Sequence, residues 1–219
     1  MRDISALTCF SPLTAVVIGF CDQDYMYLRN HMRIPFVVYD GYCEKPERIL
    51  NITIDNYDGG FQTGTYFRER GHKRALCIAD NDICVDMERY LGFRDGFASG
   101  TVEFVMIPMR KEERWEYYRR NLSMFQSITA VFAVSDYYAM DLICFLQEQG
   151  VRVPEQISVA GFDDIPMCRM FCPTLTTVKQ DGALRAKIAV KTLRELKEGK
   201  PIQNEIRLPV SLVVRSSTK

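Results

Sequence analysis

Short apolar runs alternate with longer amphipathic stretches along most of the chain. Short runs rich in β-branched residues predict buried strands, whereas apolar residues recurring every three or four positions predict helices. Their alternation is typical of a parallel α/β sheet. The predicted strands are 14–18, 35–39, 74–78, 102–107, 130–133, 157–161 and 176–178, and the predicted helices are 23–31, 59–70, 87–99, 112–123, 136–148 and 182–198.

Residues at the ends of these segments agree with the predicted helices. Ser135 precedes the helix that begins at position 136, where a hydroxyl can accept a hydrogen bond from a backbone N–H. Gly71, Gly150 and Gly199 follow predicted helices, and glycine commonly ends a helix. The tail 205–214 alternates weakly and contains Pro209, so it predicts two short strands.

Polar side chains directly follow two of the predicted strands. The run that begins at Ile157 ends in Asp163 and Asp164, and the next strand runs into Gln180 and Asp181. In an open α/β sheet, ligands bind outside the carboxyl ends of the strands. The pattern therefore predicts a small polar ligand held by carboxylates and amides, and it does not indicate a reaction. Capping of a following helix is an equally good interpretation of both Asp164 and Asp181.

Composition narrows the class of protein. The 219 residues can fill one or two domains, and 47% hydrophobic and 26% charged residues are ordinary for a soluble globular protein. Lys and Arg together number 28, as do Asp and Glu. The chain therefore lacks the basic excess of a free-standing nucleic-acid-binding protein. The charge runs at 68–70 and 111–114 mix both signs, which is typical of solvated helix faces.

Cysteine usage and apolar run lengths indicate the compartment. The eight cysteines form no Cys-x-x-Cys pair, which favours buried free thiols in a reducing compartment. Cys168 and Cys172 could supply two metal ligands, but both histidines lie far away in sequence, so we expect no metal site and no cofactor. Residues 1–7 lack a signal-peptide pattern, and no apolar run approaches the roughly 20 residues that span a bilayer. We expect a cytoplasmic protein without membrane contact.

Seven short motifs are spread over most of the chain. They are Gly71-His-Lys-Arg74, Arg89-Tyr-Leu-Gly-Phe93, Val134-Ser-Asp136, Val151-Arg-Val-Pro154, Ile157–Asp164, Thr176–Asp181 and Leu208-Pro-Val-Ser-Leu212. In their order and spacing they resemble the effector-binding core of LacI/GalR-type transcriptional regulators. Each motif alone is weak, but seven in register are specific, and the similarity extends from about position 15 to position 217.

The resemblance implies an architecture similar to that of periplasmic sugar-binding proteins. Two doubly wound parallel-sheet lobes would enclose a small effector, usually a sugar or a nucleobase, and two copies would form a homodimer. We expect one lobe to contain residues 1–54 and 180–208, and the other to contain 55–179 and 209–219. Effector binding would favour one lobe arrangement and thereby alter the spacing of DNA-reading modules.

The amino-terminal lobe is expected to be incomplete. The similarity begins at what resembles the third strand of that lobe, and no helix-turn-helix pattern precedes position 15. Operator DNA would therefore be bound only through a module absent from this chain. The first strand would also lie at an unprotected sheet edge.

The resemblance implies a set of ligand-binding residues. Arg89 matches an arginine that holds ligand hydroxyls, and Asp163 matches a carboxylate that contacts the ligand. A guanidinium and a carboxylate suit hydroxyl groups because they form strong, charge-assisted hydrogen bonds. Asp40 and Gln180 match two further polar positions. The alternative for Arg89 is an exposed residue on a helix surface.

Two features depart from the usual pattern of the family. Ser135 stands where many members have asparagine, so it either contacts the ligand or only caps the following helix. Gly182 replaces a residue that is often aromatic or larger. Another side chain would then stack on the sugar, and Tyr39, Tyr42 and Trp115 are candidates.

Two other classes of protein remain as alternatives. A solute-binding protein of a sugar transporter has the same fold, but an export compartment would oxidise the cysteines. Catalysis by Asp163 and Asp164 is the other alternative. No suitably placed histidine or nucleophile accompanies these aspartates, and adjacent residues seldom flank a substrate, so we do not expect an enzyme.

Overall fold

The computed structural model describes residues 15–18, 22–31, 33–34, 36–40 and 51–219. The chain divides into two compact units. Unit 1 contains Met1–Ile54 and Asp181–Leu208, and unit 2 contains Asp55–Gln180 and Pro209–Lys219. The chain therefore passes from one unit to the other three times.

The described part of unit 1 is a parallel sheet with two helices. The helices are α1 (Asp22–His31) and α6 (Gly182–Lys197). The strands, in their spatial order, are β1 (Ala15–Ile18), β2 (Phe36–Tyr39), β3 (Asn51–Ile54) and β9 (Glu205–Leu208). Strand β3 was not predicted, because Asn51 and Thr53 interrupt its apolar run. All four of its residues are nevertheless buried between β2 and β9.

Unit 2 contains a six-stranded sheet and four α-helices, which confirms the predicted parallel α/β class. The helices are α2 (Asn56–Glu69), α3 (Cys84–Gly96), α4 (Lys111–Arg120) and α5 (Asp136–Glu148). The last strand pairs antiparallel to its neighbour, and all other pairs are parallel. In spatial order the strands are β10 (Val210–Val213), β8 (Thr176–Gln180), β7 (Ser158–Asp163), β6 (Ala130–Ala133), β4 (Arg74–Ala79) and β5 (Thr101–Met106).

Several predicted helix ends are confirmed. The Ser135 hydroxyl accepts a hydrogen bond from the Tyr138 N–H at 3.3 Å, and the Asp181 carboxylate accepts one from Leu184 at 2.9 Å. Glycines at 71, 150 and 199 follow α2, α5 and α6 with positive φ. The bounds of three helices were wrong by three residues. Helix α2 begins at residue 56 and not 59, and α3 spans 84–96 and not 87–99. Helix α4 ends at 120 because residues 122–125 form a separate 3-10 turn.

The expectation of buried thiols is confirmed for some of the described cysteines and wrong for others. Cys77 and Cys168 are buried, whereas Cys144 and Cys172 are exposed. Cys144 lies within an apolar run, but that run is helical and residue 144 is on the outer side of α5. The cysteines at 9, 21 and 43 lie outside the described residues. Among the described helices, none combines the length and the apolar character needed to cross a membrane.

The final residues complete the sheet of unit 2 at its amino-terminal edge. The Val159 N–H donates to the Ser217 carbonyl at 2.8 Å, and the Ser217 hydroxyl accepts from the Thr176 N–H at 2.8 Å. The hydroxyls of Tyr66 and Thr218 share a hydrogen bond of 2.8 Å. Ser217 is completely buried, and these partners satisfy its polar groups.

Helices α2 and α3 touch through their backbones. A methyl group at Gly60 would overlap the carbonyl oxygen of Arg89, and one at Gly64 would overlap that of Phe93. The glycines of α3 have the same relation to α2, since a methyl group at Gly92 would overlap the Tyr57 carbonyl. Small residues permit this close approach of two helices. The contact therefore fixes the position of Arg89 relative to the start of α2.

We expect Gly64→Ala to destabilise the protein by roughly 1–3 kcal/mol, at the upper end of that range, because an added methyl group forces the two backbones apart. The intrinsic helix preference of alanine offsets only about 1 kcal/mol of this cost. Urea unfolding would measure the difference. Gly182→Ala is the matched control, because Gly182 is also helical and a methyl group there meets nothing within 4 Å. Equal stability of the Gly64→Ala variant and the parent would contradict the contact.

Candidate ligand-binding site

The strand order of unit 2 reverses between β4 and β6, and this switch point predicts a crevice at the carboxyl ends of these two strands. Strand β4 is followed in sequence by β5 on one side of it and by β6 on the other. Ligands of open α/β sheets bind where the order reverses in this way. Asp80 and Asn81 follow β4, and Val134 and Ser135 follow β6. Polar side chains therefore follow both strands at the predicted crevice.

Arg89 extends from α3 to this crevice and is almost completely buried. Its Nε donates to the Asn56 side-chain oxygen at 2.8 Å, and its Nη1 donates to the Val134 carbonyl at 2.6 Å. The guanidinium lies over the Phe162 ring, 3.9 Å from the ring centroid. Burial of a charge is costly without such partners. The alternative of an exposed helix residue is wrong, and Nη2 has no partner among the described residues.

A cluster of polar side chains beside Arg89 was missed in the sequence. Asp86 lies 3.9 Å from the Arg89 Nη1 and accepts a hydrogen bond from the Asn81 amide at 2.7 Å. Burial raises the pKa of Asp86, and the charge of Arg89 opposes this shift. Asn81 lies two residues after the end of β4, so the rule that pointed to Asp163 would also have pointed to it. Asn56 and Asp86 lie on helices and have no comparable local signal.

Asp163 and Gln180 are brought together at the ends of β7 and β8. The Gln180 amide donates to the Asp163 Oδ1 at 2.8 Å. Asp164 does not cap the following 3-10 turn, which has no side-chain cap, so that interpretation is wrong. Its carboxylate is instead paired with Arg215 at 2.5 Å. Ser135, at the end of β6, caps α5 through its hydroxyl.

Unit 1 contains its own polar cluster at the carboxyl end of β2. Asp40 follows the strand with φ of 50° and pairs with Arg185 at 2.7 Å. The Tyr39 hydroxyl donates to the Arg185 carbonyl at 2.9 Å, and the guanidinium lies 4.2 Å from the Tyr39 ring centroid. Arg185 also donates to the Ile52 carbonyl at 2.9 Å. Arg185 lies in the first turn of α6, where a basic residue interacts unfavourably with the helix dipole. This unusual position is the feature of the sequence that could have indicated a special role for Arg185.

Trp115 and Tyr42 were the other two candidates for stacking on a ligand. The Trp115 indole N–H donates to Asp141 at 2.9 Å, and its ring packs edge-on against Phe145. Trp115 therefore joins α4 to α5 within the core of unit 2. Tyr42 lies outside the described residues.

Residues 65–218 match the model of the periplasmic binding protein-like domain. The chain belongs to this family. It is 30% identical over 206 residues to a protein of Mannheimia succiniciproducens named HTH-type transcriptional repressor PurR, with 90% of this chain aligned. The chain spans 61% of the length of that relative.

Solved structures share the fold. A periplasmic binding protein/LacI transcriptional regulator of Alkaliphilus metalliredigens, complexed with D-xylulofuranose, has a TM-score of 0.85 at 22% identity, with 98% of this chain and 81% of that chain covered. A dimeric Lac repressor with a C-terminal deletion has a TM-score of 0.79 at 25% identity, with 93% and 76% covered. Within the family, this chain is a LacI-type effector-binding core, as its motifs indicated.

The raised pKa of Asp86 predicts a pH dependence of stability. The folded state holds the proton to a higher pH than the unfolded chain, whose ordinary value is 3.8. Ionisation of Asp86 therefore destabilises the fold as the pH rises from about 4 towards the folded pKa. Relative to the parent, Asp86→Asn should be more stable near pH 7 than near pH 4, as measured by urea unfolding at both values.

Asp95→Asn is the control for this experiment. Hydrogen bonds from Arg94 and Tyr57 lower the pKa of the exposed Asp95, so its effect should be small and opposite in sign. An unchanged difference between the Asp86→Asn variant and the parent across the pH range would contradict the burial of a charge at this position.

Proposed function

We propose that this effector-binding core recognises a sugar or a sugar derivative, and that it does not transform this ligand. The observation that carries the proposal is the buried Arg89 at the switch point of the sheet, with one edge of its guanidinium unused by described residues. A guanidinium donates to hydroxyl oxygens, and carboxylates accept from hydroxyl protons. Arg89 and Asp163 together suit a polyhydroxylated molecule. The sugar in the Alkaliphilus metalliredigens structure supports this ligand class.

The ligand contacts in this proposal are Arg89, Asp163, Gln180 and Ser135 in unit 2, and Tyr39 and Asp40 in unit 1. The effector would shift the population towards the conformation that binds it more tightly. DNA recognition is not assigned to any described residue. The name of the Mannheimia relative supports a role in transcriptional repression over one in transport.

The polar groups of the site are arranged for holding a ligand. Asp163 accepts a hydrogen bond from Gln180 and Asp164 is paired with Arg215, so both carboxylates have partners that hold them in place. In unit 2, His72 precedes β4 and therefore lies at the opposite end of the sheet. These arrangements support binding without chemistry.

Isothermal titration with D-xylulose, D-ribose, D-glucose and cellobiose would test the proposal. Arg89→Met and Asp163→Ala should each weaken the tightest-binding sugar at least tenfold, about 1.4 kcal/mol, because each leaves ligand hydroxyls without a charged partner. Arg94→Met is the control, since Arg94 lies on the same helix with its side chain 49% exposed. The proposal fails if no sugar binds to the parent or if both variants bind as the parent does.

We further propose that two copies associate through a methionine-rich surface of unit 2. The side chains of Met109, Tyr137, Met167 and Met170 are exposed by 71%, 56%, 51% and 73%. Arg114 donates to the Met109 carbonyl and lies 5.5 Å from the Tyr137 ring centroid, so these two segments are adjacent. The Cys168 thiol donates to Asp136, so the turn at Met167 and Met170 lies beside the same end of α5. Exposed apolar surface of this kind is typical of interaction sites. The dimeric Lac repressor structure supports a second copy as the partner.

Sedimentation equilibrium would test this association. Met167→Glu combined with Met170→Glu should convert a dimer to a monomer, because charges would be buried against apolar surface. Val190→Glu is the control, as Val190 is an exposed apolar residue of unit 1. A parent that is monomeric at high concentration, or a double variant that remains dimeric, would refute the proposed surface.

A further inference from the structure

The turn that ends β7 has an unusual backbone. Asp163 has φ of 120° and Asp164 has φ of 52°, so two consecutive residues other than glycine lie in the left-handed half of conformational space. Such a conformation is unfavourable for a residue other than glycine and persists only where its surroundings determine it. The structure must therefore hold this turn by contacts with other parts of unit 2.

Arg215 provides the first of these contacts. Its Nη2 lies 2.5 Å from the Asp164 Oδ1, and its Nη1 donates to the Leu175 carbonyl at 2.7 Å. Its own N–H donates to the Thr176 hydroxyl at 2.8 Å. The Asp164 and Arg215 side chains are only 3% and 13% exposed, so solvent screens this ion pair weakly. Arg215 thus ties the Asp164 carboxylate to the β8 segment.

Asp136 provides further contacts through both oxygens of its carboxylate. Its Oδ2 accepts hydrogen bonds from the Ile165 N–H at 3.0 Å and from the Cys168 thiol at 3.1 Å. Its Oδ1 accepts from the Thr177 hydroxyl at 2.5 Å. Gly161 makes room for this carboxylate, since a methyl group at that position would overlap it. One buried acceptor therefore fastens the segment that follows Asp164 to the neighbouring strand.

We propose that Arg215 and Asp136 are positioning residues, which keep the strained turn in the conformation that presents the Asp163 carboxylate to the ligand. The inference rests on the proposed function, in which Asp163 accepts ligand hydroxyls. Arg215 pairs with Asp164 and Asp136 binds Ile165 and Cys168, so both act on Asp163 through the backbone. Pre-organisation of this kind preserves affinity, because the cost of ordering the turn is met on folding.

A double-mutant cycle between Arg215 and Asp163 tests this role. Arg215→Met should weaken the tightest of the four sugars about tenfold in the parent, because the turn can then relax. In the Asp163→Ala background the same change should leave the remaining affinity unaltered, since no carboxylate remains to be positioned. Calorimetry measures all four affinities, and thermal unfolding measures the stability of each variant.

Arg169→Met is the matched control. Arg169 lies 3.5 Å from the same Asp164 carboxylate, but its side chain is 66% exposed, so its loss should change the affinity by less than about twofold. If Arg215→Met does not fold, Arg215→Lys replaces it. A lysine ammonium cannot reproduce the simultaneous hydrogen bonds of the guanidinium to the Asp164 carboxylate and the Leu175 carbonyl. We therefore expect the affinity for the sugar to fall about threefold or more.

The outcomes separate this inference from the proposed function. If the parent binds none of the sugars, the proposed function fails and the positioning role fails with it. If the parent binds and Arg215→Met binds equally well, only the positioning role fails. An equal loss in the parent and in the Asp163→Ala background indicates a general structural role for Arg215, and this result also overturns the inference.

Discussion

The direct contact between the backbones of α2 and α3 is the constraint on which the proposed binding edge of unit 2 depends, namely the carboxyl ends of its strands. It requires glycine on both helices, and it places Asn56 at the start of one helix beside Arg89 on the other. Gly59 also packs closely against Phe162, whose ring supports the guanidinium. Backbone packing, which is stiff, thus sets the position of a long side chain that would otherwise have many rotamers.

At Asp163, hydrogen bonds and an ion pair fix the conformation, whereas backbone packing fixes the position of Arg89. The turn at Asp163 has an unfavourable backbone, and buried polar contacts below it determine its shape. Burial raises the pKa of Asp136, while the hydrogen bonds from Thr177, Cys168 and Ile165 oppose that shift. A buried acceptor with several donors fixes geometry more tightly than apolar packing does, because hydrogen bonds are directional.

The sequence predicts the class of fold well, since buried parallel strands and amphipathic helices leave strong local patterns. Strand 51–54 was not predicted because polar residues interrupt its apolar pattern. In the structure its burial between two strands outweighs this unfavourable local pattern. The family resemblance led to the proposal of Arg89 and Asp163 as ligand contacts, but it gave no indication of the side chains that support them. Asp164 and Arg215 are 51 residues apart, and local pattern carries no information about such a pair. Capping, a local interaction, was therefore the available hypothesis for Asp164.

The discontinuity of unit 2 has a consequence for the order of synthesis. Its strand β7 is bonded to Ser217, yet residues 181–208, which belong to unit 1, are translated between the two parts. A ribosome must therefore release most of unit 1 before the sheet of unit 2 can close. Until then the amino-terminal edge of β7 and β8 exposes unpaired backbone groups, and a nascent chain in this state is open to wrong pairing. Unit 2 is therefore completed last, although residues 55–180 of it are made before residues 181–208 of unit 1.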